Sequence, residues 1–372
     1  MAAKTKIGMI GTGNIGPAYV NGCRRFEHLD LVACADLDHE RAQGFARQHD
    51  LRALTVDDLL DDDSIEIVIN LTVPQAHADV SRAIIKAGKH VYSEKPLATT
   101  RQEARKIMRA AEKKGVRVGC APDTFLGGGI QTCRKLIDED WIGEPVAATG
   151  FMGYRGPDSW HPNPSIFFLQ GAGPMLDMGP YYLTALITLM GGIESVTGMT
   201  RASYPVRYAG HEGIRGQELN VEVATHVTGI LQFASGALAT LTTTFDIWAH
   251  HQPIIEIYGT EGSLRVPDPN GFDGVIEVYQ AETRAWREVP LMFDGTVGRG
   301  IGVADMARAI HEDRPHRASG DLAFHVLDAM LAFDEASDKG RRITLKTSAD
   351  APAPLTEGEL TALPLPSPAA TA

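Results

Sequence analysis

The chain has 372 residues, of which 44% are hydrophobic and 22% are charged, and its formal net charge at pH 7 is -12. A chain of this length exceeds what one hydrophobic core usually serves, so the composition is typical of a globular protein with two domains. Its few basic clusters, such as Arg341-Arg342, are short. Nucleic acid is therefore not expected as a partner, because tracking phosphates requires an extended positive surface.

The first residues, MAAKTKIGMIGTG, pass from a Lys-containing start directly into a glycine-rich turn. This start leaves no room for the apolar region of a signal peptide, and no run of about 18 apolar residues predicts a membrane span. The four cysteines, Cys23, Cys34, Cys120 and Cys133, have neither C-x-x-C nor zinc spacing. We therefore expect reduced, buried thiols in a cytoplasmic protein that has no membrane partner.

From Lys6 to Cys120, short runs rich in Val and Ile alternate with helical patterns such as RAQGFARQH and ADVSRAIIKAG. This alternation predicts parallel strands joined by helical crossovers. The predicted strands are KIGMIG, LDLVACAD, IEIVINLT, KHVYSE and VRVGCA.

Between about residues 145 and 290 the pattern becomes β-rich, with strings such as VEVATHVTGILQF, GALATLTTTFDIW and PIIEIYGTEGSLRV. Ser235-Gly236 and Glu261-Gly262 stand at turn positions, so a mainly antiparallel sheet is predicted. Residues 300–312 and 321–339 return to helical spacing. After Lys346 the chain is rich in Pro and Ala without periodicity, which predicts an extended or mobile tail.

GTGNIG at residues 11–16 fits the pattern G-x-G-x-x-G, and its surroundings make the match specific. The motif follows a predicted strand, opens a predicted helix, and is followed 20 residues after Gly16 by Asp36 at the end of the next strand. Gly11 and Gly13 would permit a tight turn and the close approach of a pyrophosphate to the helix N-terminus, and Gly16 would let helix and strand pack closely. This order predicts a dinucleotide site.

Asp36 indicates which dinucleotide binds. Its carboxylate could accept hydrogen bonds from the adenosine ribose hydroxyls and would repel a 2′-phosphate, so NAD is favoured over NADP. Arg41, about one turn further on, keeps NADP as the second choice because it could adapt to a phosphate. The alternative, a glycine turn followed by an acidic helix cap, does not account for the order of strand, turn, helix and acid.

Ligands of this fold bind at the carboxyl ends of its strands, where the chain carries NLTVPQAH at 70–77 and YSEKPLA at 92–98. A surface ion pair does not explain Glu94-Lys95-Pro96 well, because it would need neither the following Pro nor a position at the end of a strand. At that position a Lys can be a fixed cation beside a reacting hydroxyl. His77 is equally well explained as a helix-start histidine without a chemical role. The predicted cofactor-binding residues are Gly11, Thr12, Gly13, Asn14, Ile15, Asp36, Leu71, Thr72, Pro74, His77, Glu94 and Lys95.

Together with LDMGPYY at 176–182, these motifs resemble the Gfo/Idh/MocA family of nicotinamide-dependent oxidoreductases from about Lys6 to about Lys346. The resemblance implies an α/β protein, with an N-terminal Rossmann domain and a C-terminal α+β domain. It also implies that the open, mostly antiparallel sheet of the second domain forms a homodimer or homotetramer. The predicted parts are an NAD-binding domain at 1–122, a substrate-binding and oligomerisation domain at 123–346, and a tail at 347–372.

The resemblance further implies a catalytic set of Lys95, Asp177 and Tyr181. The family's frequent pattern is the EKP lysine with an Asp and a His four residues apart near the start of a helix, and here Tyr181 replaces the His. Tyrosine at this place also occurs in the family, and it can pass a proton if a nearby cation such as Lys95 stabilises the phenolate. If this stretch is considered without the other motifs, the better interpretation is that Asp177 caps the helix and Tyr181 only packs. In the catalytic interpretation, Asp177 could cap the helix and also act in catalysis.

Two segments near this helix are candidates for substrate contact. GYRGPDSWHPNPSIFF at 153–168 is a long polar and aromatic loop, and APDTFLGGG at 121–129 follows the last Rossmann strand. Long loops beside a site often form walls or lids, although a packed, Pro-stiffened connection is the alternative. His226, His250 and His251 lack a metal-ligand arrangement, so no metal is expected. The predicted substrate-binding residues are Asp123, Phe125, Arg155, Trp160 and His161.

The expected function is the NAD-dependent interconversion of a secondary alcohol of a sugar or polyol with its ketone or lactone, by hydride transfer. One alternative is redox-neutral glycoside cleavage, in which the same NAD oxidises the sugar transiently and is then regenerated. The other is a non-catalytic nucleotide sensor, which the joint presence of Lys95, Asp177 and Tyr181 disfavours.

Overall fold

A computed structural model describes residues 4–356, 358–360, 362 and 363. The first sheet consists of β1 (Thr5–Ile10), β2 (Leu29–Ala35), β3 (Arg52–Leu54), β4 (Ile67–Asn70), β5 (His90–Ser93) and β6 (Val118–Cys120). All six strands are parallel, in the order β3-β2-β1-β4-β5-β6. The five strands predicted for this region are confirmed. The edge strand β3 was not predicted, because three residues are too few to show a periodicity.

Helical crossovers connect these strands, as predicted. Three of the helices begin at a side-chain cap, because Asp38, Thr55 and Thr100 each accept a hydrogen bond from the backbone N–H three residues on. Such a cap satisfies one of the N–H groups that the first turn leaves free. The helices are α1 (Gly16–Cys23), α2 (His39–His49), α3 (Val56–Asp61), α4 (His77–Lys86) and α5 (Arg101–Lys114).

In the described residues, the second half of the chain adds four α-helices, a large sheet and a small ribbon. The helices are α6 (Gly128–Asp138), α7 (Pro174–Met190), α8 (Ile301–His311) and α9 (Gly320–Lys339). The strands are β7 (Pro145–Gly153), β8 (Ile193–Arg201), β9 (Val206–Tyr208), β10 (Glu218–Asn220), β11 (His226–Phe233), β12 (Leu238–Thr244), β13 (Ile255–Gly259), β14 (Gly262–Val266), β15 (Ile276–Gln280), β16 (Trp286–Val289) and β17 (Ile343–Thr344).

The large sheet has the order β16-β15-β14-β13-β7-β12-β11-β8-β17, and β9 and β10 pair separately. All neighbours in the large sheet are antiparallel except β7 and β12. The predicted mostly antiparallel sheet is confirmed.

Helices cover one face of this sheet and leave the other open. Phe333 of α9 is fully buried, and a Cβ at Gly198 or Gly229 would lie 2.7 or 2.8 Å from its ring. These two glycines therefore let the helix approach the strands closely. On the opposite face, Met199 is 75% exposed and Ile230 is 47% exposed.

The segment before α8 returns to the first sheet. Helix α8 packs against α1 and β6, and a Cβ at Gly22 of α1 would lie 1.7 Å from the carbonyl oxygen of Arg299. Only a glycine at position 22 permits this approach, which places Arg299 beside the dinucleotide-binding part of the chain. The boundaries at residues 122 and 346 stay predictions.

The tail after Lys346 contains neither helix nor strand in its described residues, yet it is fixed to the body of the protein. Leu355 and Leu360 are 7% and 4% exposed. Arg317 donates hydrogen bonds of 2.8 and 3.0 Å to the carbonyl oxygens of Ala353 and Pro354. The predicted extended character fits residues 347–356, whereas mobility does not. Residues 357, 361 and 364–372 of the predicted tail lie outside the described residues.

None of the described helices is long and apolar enough to cross a membrane. Among the described residues, no three His, Cys, Asp or Glu side chains form a group that could hold a metal ion. All four cysteines are buried and unpaired. Burial raises the pKa of Cys23 to about 12 and that of Cys34 to about 11, so both remain thiols at neutral pH.

Candidate active site

The glycine-rich turn between β1 and α1 has the shape that a pyrophosphate requires. Gly11 has φ +100°, and a Cβ there would lie 2.6 Å from the carbonyl oxygen of Leu71, whereas a Cβ at Gly13 would meet nothing within 4 Å. In the described part of the chain, the backbone N–H groups of Gly13, Asn14 and Ile15 donate to no acceptor. Three free N–H groups at a helix N-terminus suit an anion, so the residues present fit a dinucleotide.

Asp36 lies at the end of β2, beside this turn. Its carboxylate accepts hydrogen bonds of 2.8 and 2.9 Å from the N–H and the hydroxyl of Thr12, and Arg41 donates to both of its oxygens. Burial alone would raise the pKa of Asp36, but hydrogen bonds from Arg41, Thr12 and the Asp38 N–H hold it below its ordinary value. The Arg41 side chain is 56% exposed. A guanidinium therefore accompanies the acid that was predicted to select the cofactor.

The loop after β4 forms one wall of the site through its backbone. His77 is only 1% exposed, and its ring nitrogens lie 2.7 Å from the Pro96 carbonyl oxygen and 2.9 Å from that of Thr72. Burial lowers the pKa of His77, although both carbonyls oppose this effect. His77 thus links the loop after β4 to the EKP segment and does not itself face open space. Leu71 is buried as well, whereas Thr72 and Pro74 are half-buried.

Glu94 holds the EKP segment against α1. Its two carboxylate oxygens accept hydrogen bonds of 2.8 Å from the Tyr19 hydroxyl and 2.9 Å from the Lys95 N–H. Tyr19 is fully buried, and its pKa is raised by burial and by the charge of Glu94, so it stays a hydrogen-bond donor. Sequence analysis did not identify Tyr19, because a buried aromatic residue in a helix is usually part of the core.

Lys95 and Asp177 meet between the two halves of the chain. The Lys95 Nζ donates hydrogen bonds of 2.8 Å to Oδ1 and 2.6 Å to the backbone oxygen of Asp177. Burial would lower the pKa of Lys95, but the charge of Asp177, with smaller contributions from Tyr181 and Glu94, raises it above its ordinary value. Lys95 is therefore a permanent cation in this site.

Asp177 does not cap its helix. Helix α7 begins at Pro174, with Gly173 as the N-cap residue and without a side-chain cap. The carboxylate of Asp177 bonds to Lys95 instead, so the prediction that Asp177 could cap the helix was wrong. Because α7 begins at Pro174, Asp177 lies within the first turn and not at the cap position, and its carboxylate pairs with Lys95.

Tyr181 follows one turn after Asp177 and is 6% exposed. The Lys95 Nζ lies 5.2 Å from the centroid of its ring. The hydrogen-bond partner of its hydroxyl is Arg299, whose Nη2 is 3.0 Å away. Arg299 was not identified in the sequence, where the only local signal is the glycine-rich run Gly298-Arg299-Gly300-Ile301-Gly302.

Asp123 and Phe125 do not occupy the positions predicted for substrate contact. They are 0% and 2% exposed. One oxygen of Asp123 accepts hydrogen bonds of 2.8 and 3.2 Å from the N–H groups of Gly300 and Gly302, while the other lies 3.6 Å from Nη1 of Arg299. Asp123 therefore holds the segment that carries Arg299. Position after a Rossmann strand indicates nearness to the site but not which way the side chain points.

The loop at 153–168 has two parts, and their surroundings differ. His161 lies between Trp160 and Phe167, with ring centroids 5.3 and 5.0 Å away, and Phe167 lines a cleft of ≈ 100 Å³ together with Lys95 and Asp177. Trp160 is 57% exposed at the outer end of this aromatic row. Trp160 and His161 are thus connected to the cleft.

Arg155 belongs to the other part of the loop at 153–168. Its guanidinium carbon is 5.4 and 5.1 Å from the ring centroids of Tyr204 and Trp248. Neither ring belongs to the cleft, so the predicted substrate contact of Arg155 has no structural support. The neighbouring Tyr154, which was not predicted, is close enough to Asp177 for that charge, after burial, to raise its pKa.

Comparisons with known proteins identify the family of the chain. Residues 5–121 match the family model described as an oxidoreductase family with an NAD-binding Rossmann fold, and residues 130–265 match that of the GFO/IDH/MocA C-terminal domain. The 1,5-anhydro-D-fructose reductase of Ensifer adhaerens is 28% identical, over 69% of this chain and 74% of that protein. The levoglucosan dehydrogenase of Pseudarthrobacter phenanthrenivorans is 27% identical, over 69% of this chain and 72% of that protein.

Solved structures show the same fold over nearly the whole chain. A crystal structure of an NAD binding oxidoreductase from Klebsiella pneumoniae is similar with a TM-score of 0.82 and 25% identity, covering 93% of this chain and all of that one. A levoglucosan dehydrogenase in complex with NADH and levoglucosan has a TM-score of 0.79 at 22% identity, covering 92% of this chain and 100% of that chain.

Proposed function

The chain belongs to the Gfo/Idh/MocA family of NAD-dependent oxidoreductases, and on this basis we propose that it interconverts a secondary alcohol of a sugar or polyol with the ketone or lactone. The observation that carries the proposal is the meeting of Lys95, Asp177 and Tyr181, with Nζ of Lys95 2.8 Å from the carboxylate and 5.2 Å from the tyrosine ring. Relatives named for anhydrofructose, levoglucosan, D-xylose and inositol support a sugar or polyol as substrate.

The chain's contribution to cofactor binding follows from the turn after β1. The N–H groups of Gly13, Asn14 and Ile15 would bind the pyrophosphate, with Gly11 and Thr12 shaping the turn and Asp36 at the adenosine ribose. Thr72 and Pro74 would border the nicotinamide end, where Glu94 and His77 hold the backbone in place. When bound, NAD accepts the hydride that leaves the substrate carbon.

Lys95 fixes the substrate oxygen. An ammonium group has three N–H donors, and the structure assigns two of them to Asp177. The third is free for the hydroxyl oxygen of the substrate, and the positive charge favours the developing alkoxide. Asp177 keeps one carboxylate oxygen for a neighbouring hydroxyl of a sugar or polyol, which orients the ring.

Tyr181 takes the proton from the substrate hydroxyl during oxidation and returns it during reduction. Its ring centroid lies 5.2 Å from the Nζ of Lys95, and general acid–base assistance by a positioned group contributes about 10²–10⁴-fold in rate. Trp160 and His161 continue the cleft outward through Phe167 and are proposed to contact the substrate.

We test this function with a panel of free sugars, anhydrosugars, polyols and aryl glycosides, with NAD or NADP, by recording NADH or NADPH absorbance. Accumulation of reduced cofactor with a sugar or polyol supports a dehydrogenase, and this activity is expected to be lost in Tyr181→Phe. Release of an aglycone without NADH would instead establish redox-neutral glycoside cleavage. Cofactor binding without turnover of any panel member would favour a sensor.

The open face of the nine-stranded sheet is the proposed site of homodimer or homotetramer formation. Met199, Ile230 and Leu238 lie on this face and are 75%, 47% and 51% exposed. Several large apolar residues exposed on one face are a feature of interaction surfaces. Light scattering should give the mass of two or four chains for the native protein and a smaller mass for the double variant Met199→Glu, Ile230→Glu.

A further inference from the structure

We propose that Arg299 is the cation that stabilises the ionised hydroxyl of Tyr181, so that the proton acceptor is a Tyr181–Arg299 pair. The proposal rests on the function proposed above and assigns a residue to it outside the family's EKP and helix motifs. It also gives Lys95 a narrower role, which is to hold Asp177 and the substrate oxygen.

The contacts of the two cations distinguish these roles. Nη2 of Arg299 donates a hydrogen bond of 3.0 Å to the hydroxyl of Tyr181. The ammonium of Lys95 makes no hydrogen bond to that hydroxyl, and among the described residues both hydrogen bonds of the ammonium go to Asp177. A charge in direct hydrogen bond with an oxygen favours the ionised form of that oxygen more strongly than a charge that is already paired elsewhere.

Arginine is suited to this task because it stays charged. A guanidinium does not lose its proton in proteins, so it can stabilise a phenolate without taking over the role of acid. The Arg299 side chain is only 12% exposed, which limits screening of its charge by water. Burial would lower the pKa of Arg299, but Tyr181, Asp123 and Glu94 together raise it further above its ordinary value.

Asp123 is the anion that competes with Tyr181 for Arg299, and its position leaves Arg299 available to the tyrosine hydroxyl. The Asp123 Oδ1 lies 3.6 Å from Nη1 of Arg299 and accepts no hydrogen bond among the described residues. The other oxygen is used by the N–H groups of Gly300 and Gly302. Asp123 therefore balances the buried charge and fixes the loop, while Nη2 donates to the Tyr181 hydroxyl and, at 3.3 Å, to Oδ1 of the uncharged Asn270.

Several contacts hold Arg299 in place before substrate binds. Arg25 donates to the carbonyl oxygen and, at 2.9 Å, to the hydroxyl of Thr296, three residues before Arg299. Arg25 also exchanges hydrogen bonds with Leu363 of the tail, at 2.7 and 2.8 Å. Together with Gly22 beneath the Arg299 carbonyl, these contacts tie the position of the guanidinium to α1 and to the tail. A fixed donor pays no reorganisation cost during proton transfer.

The test measures the ionisation of Tyr181 directly, without a substrate. Near-ultraviolet absorbance of tyrosinate is recorded against pH for the native full-length protein and for Tyr181→Phe, and the difference isolates Tyr181. The same pair of measurements is made in the background of Arg299→Met. The control is Arg308→Met, since Arg308 lies on the adjoining helix and pairs with Glu312 at its surface. Arg299→Gln replaces the Met variant if that variant does not fold.

We expect Tyr181 to ionise at a pH higher by about one unit or more once Arg299 is lost, a tenfold smaller phenolate fraction at a given pH. The rise of kcat with pH for any panel substrate should move in parallel, and guanidinium chloride at a non-denaturing concentration should partly restore activity. Arg308→Met should change neither curve.

An unchanged Tyr181 ionisation curve in a folded Arg299 variant, Arg299→Met or its replacement Arg299→Gln, would overturn the proposal. If Tyr181→Phe is inactive while that curve is unchanged, only the role of Arg299 is wrong. If the curve moves but Tyr181→Phe turns over normally, the pair exists and the proposed use of Tyr181 as the base is wrong.

Discussion

The ammonium of Lys95 contacts both the carboxylate and the backbone oxygen of Asp177, 82 residues later in the chain. This contact ties the end of β5 to the first turn of α7, so the pair has a structural as well as a chemical role. Because both side chains are mostly buried, removing one partner leaves the other uncompensated.

Lys95→Met, which keeps most of the side-chain volume, should lower kcat about 10²–10⁴-fold, the range for positioned acid–base assistance. NAD affinity, measured by fluorescence titration, should be largely kept, because the pyrophosphate turn is unchanged. Lys106→Met, on the exposed side of α5, is the matched control and should behave like the native protein. Near-native turnover of a folded Lys95→Met variant contradicts the role given to Lys95.

Tyr181→Phe removes one oxygen and keeps the buried ring. We expect a loss of at least about 10² in kcat and a loss of stability of about 1 kcal/mol from the hydrogen bond to Arg299. Tyr182→Phe is the control, since Tyr182 is the neighbouring buried tyrosine and lacks these contacts. If Tyr181→Phe retains more than about a tenth of native kcat, Tyr181 is only a packing residue.

Tyr181→His restores the residue that the family uses more often. An imidazole ordinarily titrates near pH 6.5 and a phenol near pH 10, so any surviving oxidation should rise with pH in the neutral range instead of the alkaline range. Steady-state kcat measured against pH for the native protein and this variant provides the comparison. Identical profiles would show that the residue at 181 is not the group whose ionisation controls turnover.

Asp36 and Arg41 should act in opposite directions on cofactor choice. Asp36→Ala removes the acceptor for the ribose hydroxyls and frees Arg41, so NAD should bind more weakly and NADP relatively better. Arg41→Ala removes the cationic partner of this carboxylate and should disfavour NADP further. The ratio of kcat/KM for the two cofactors measures both effects. A native preference for NADP of tenfold or more, about 1.4 kcal/mol, contradicts the assignment of Asp36.

The tail should contribute to stability through its buried side chains. Leu355→Ala should lower the free energy of unfolding by about 2–5 kcal/mol, the usual cost of truncating a buried leucine, as measured by urea denaturation. Leu363→Ala, at a site that is 41% exposed, should change it by less than about 0.5 kcal/mol. Equal effects of the two substitutions would mean that the described tail is not packed in solution.

His90 should make the fold sensitive to acid. Burial, then the charges of Arg117 and His316, lower the pKa of His90 to about 4, and its Nδ1 accepts the Arg117 N–H. Because the unfolded chain titrates near pH 6.5, the stabilisation is complete above that pH and is lost as the pH falls toward 4. The melting temperature should drop over this window, and less steeply in His90→Asn. Equal slopes for both proteins would exclude His90 as a contributor.

The sequence by itself determined those features that depend on local order. Three features require only neighbouring residues and the topology of a parallel sheet: GTGNIG between a strand and a helix, Asp36 after the next strand, and the EKP segment at a strand end. The expected strands and helices formed around them. The spacing of Asp177 and Tyr181 placed both on one side of a helix in the same way.

Tertiary structure alone decided which partners these residues meet. Arg299 lies 118 residues after Tyr181, and no periodicity connects the two, because the approach depends on Gly22, Asp123 and Arg25 packing around one loop. Three other features have the same origin: the burial of the tail, the direction of the Asp123 side chain, and the pairing of Asp177 with Lys95 instead of a role as helix cap. Each is settled by competition among distant groups for a buried charge or surface, and a local pattern does not encode that competition.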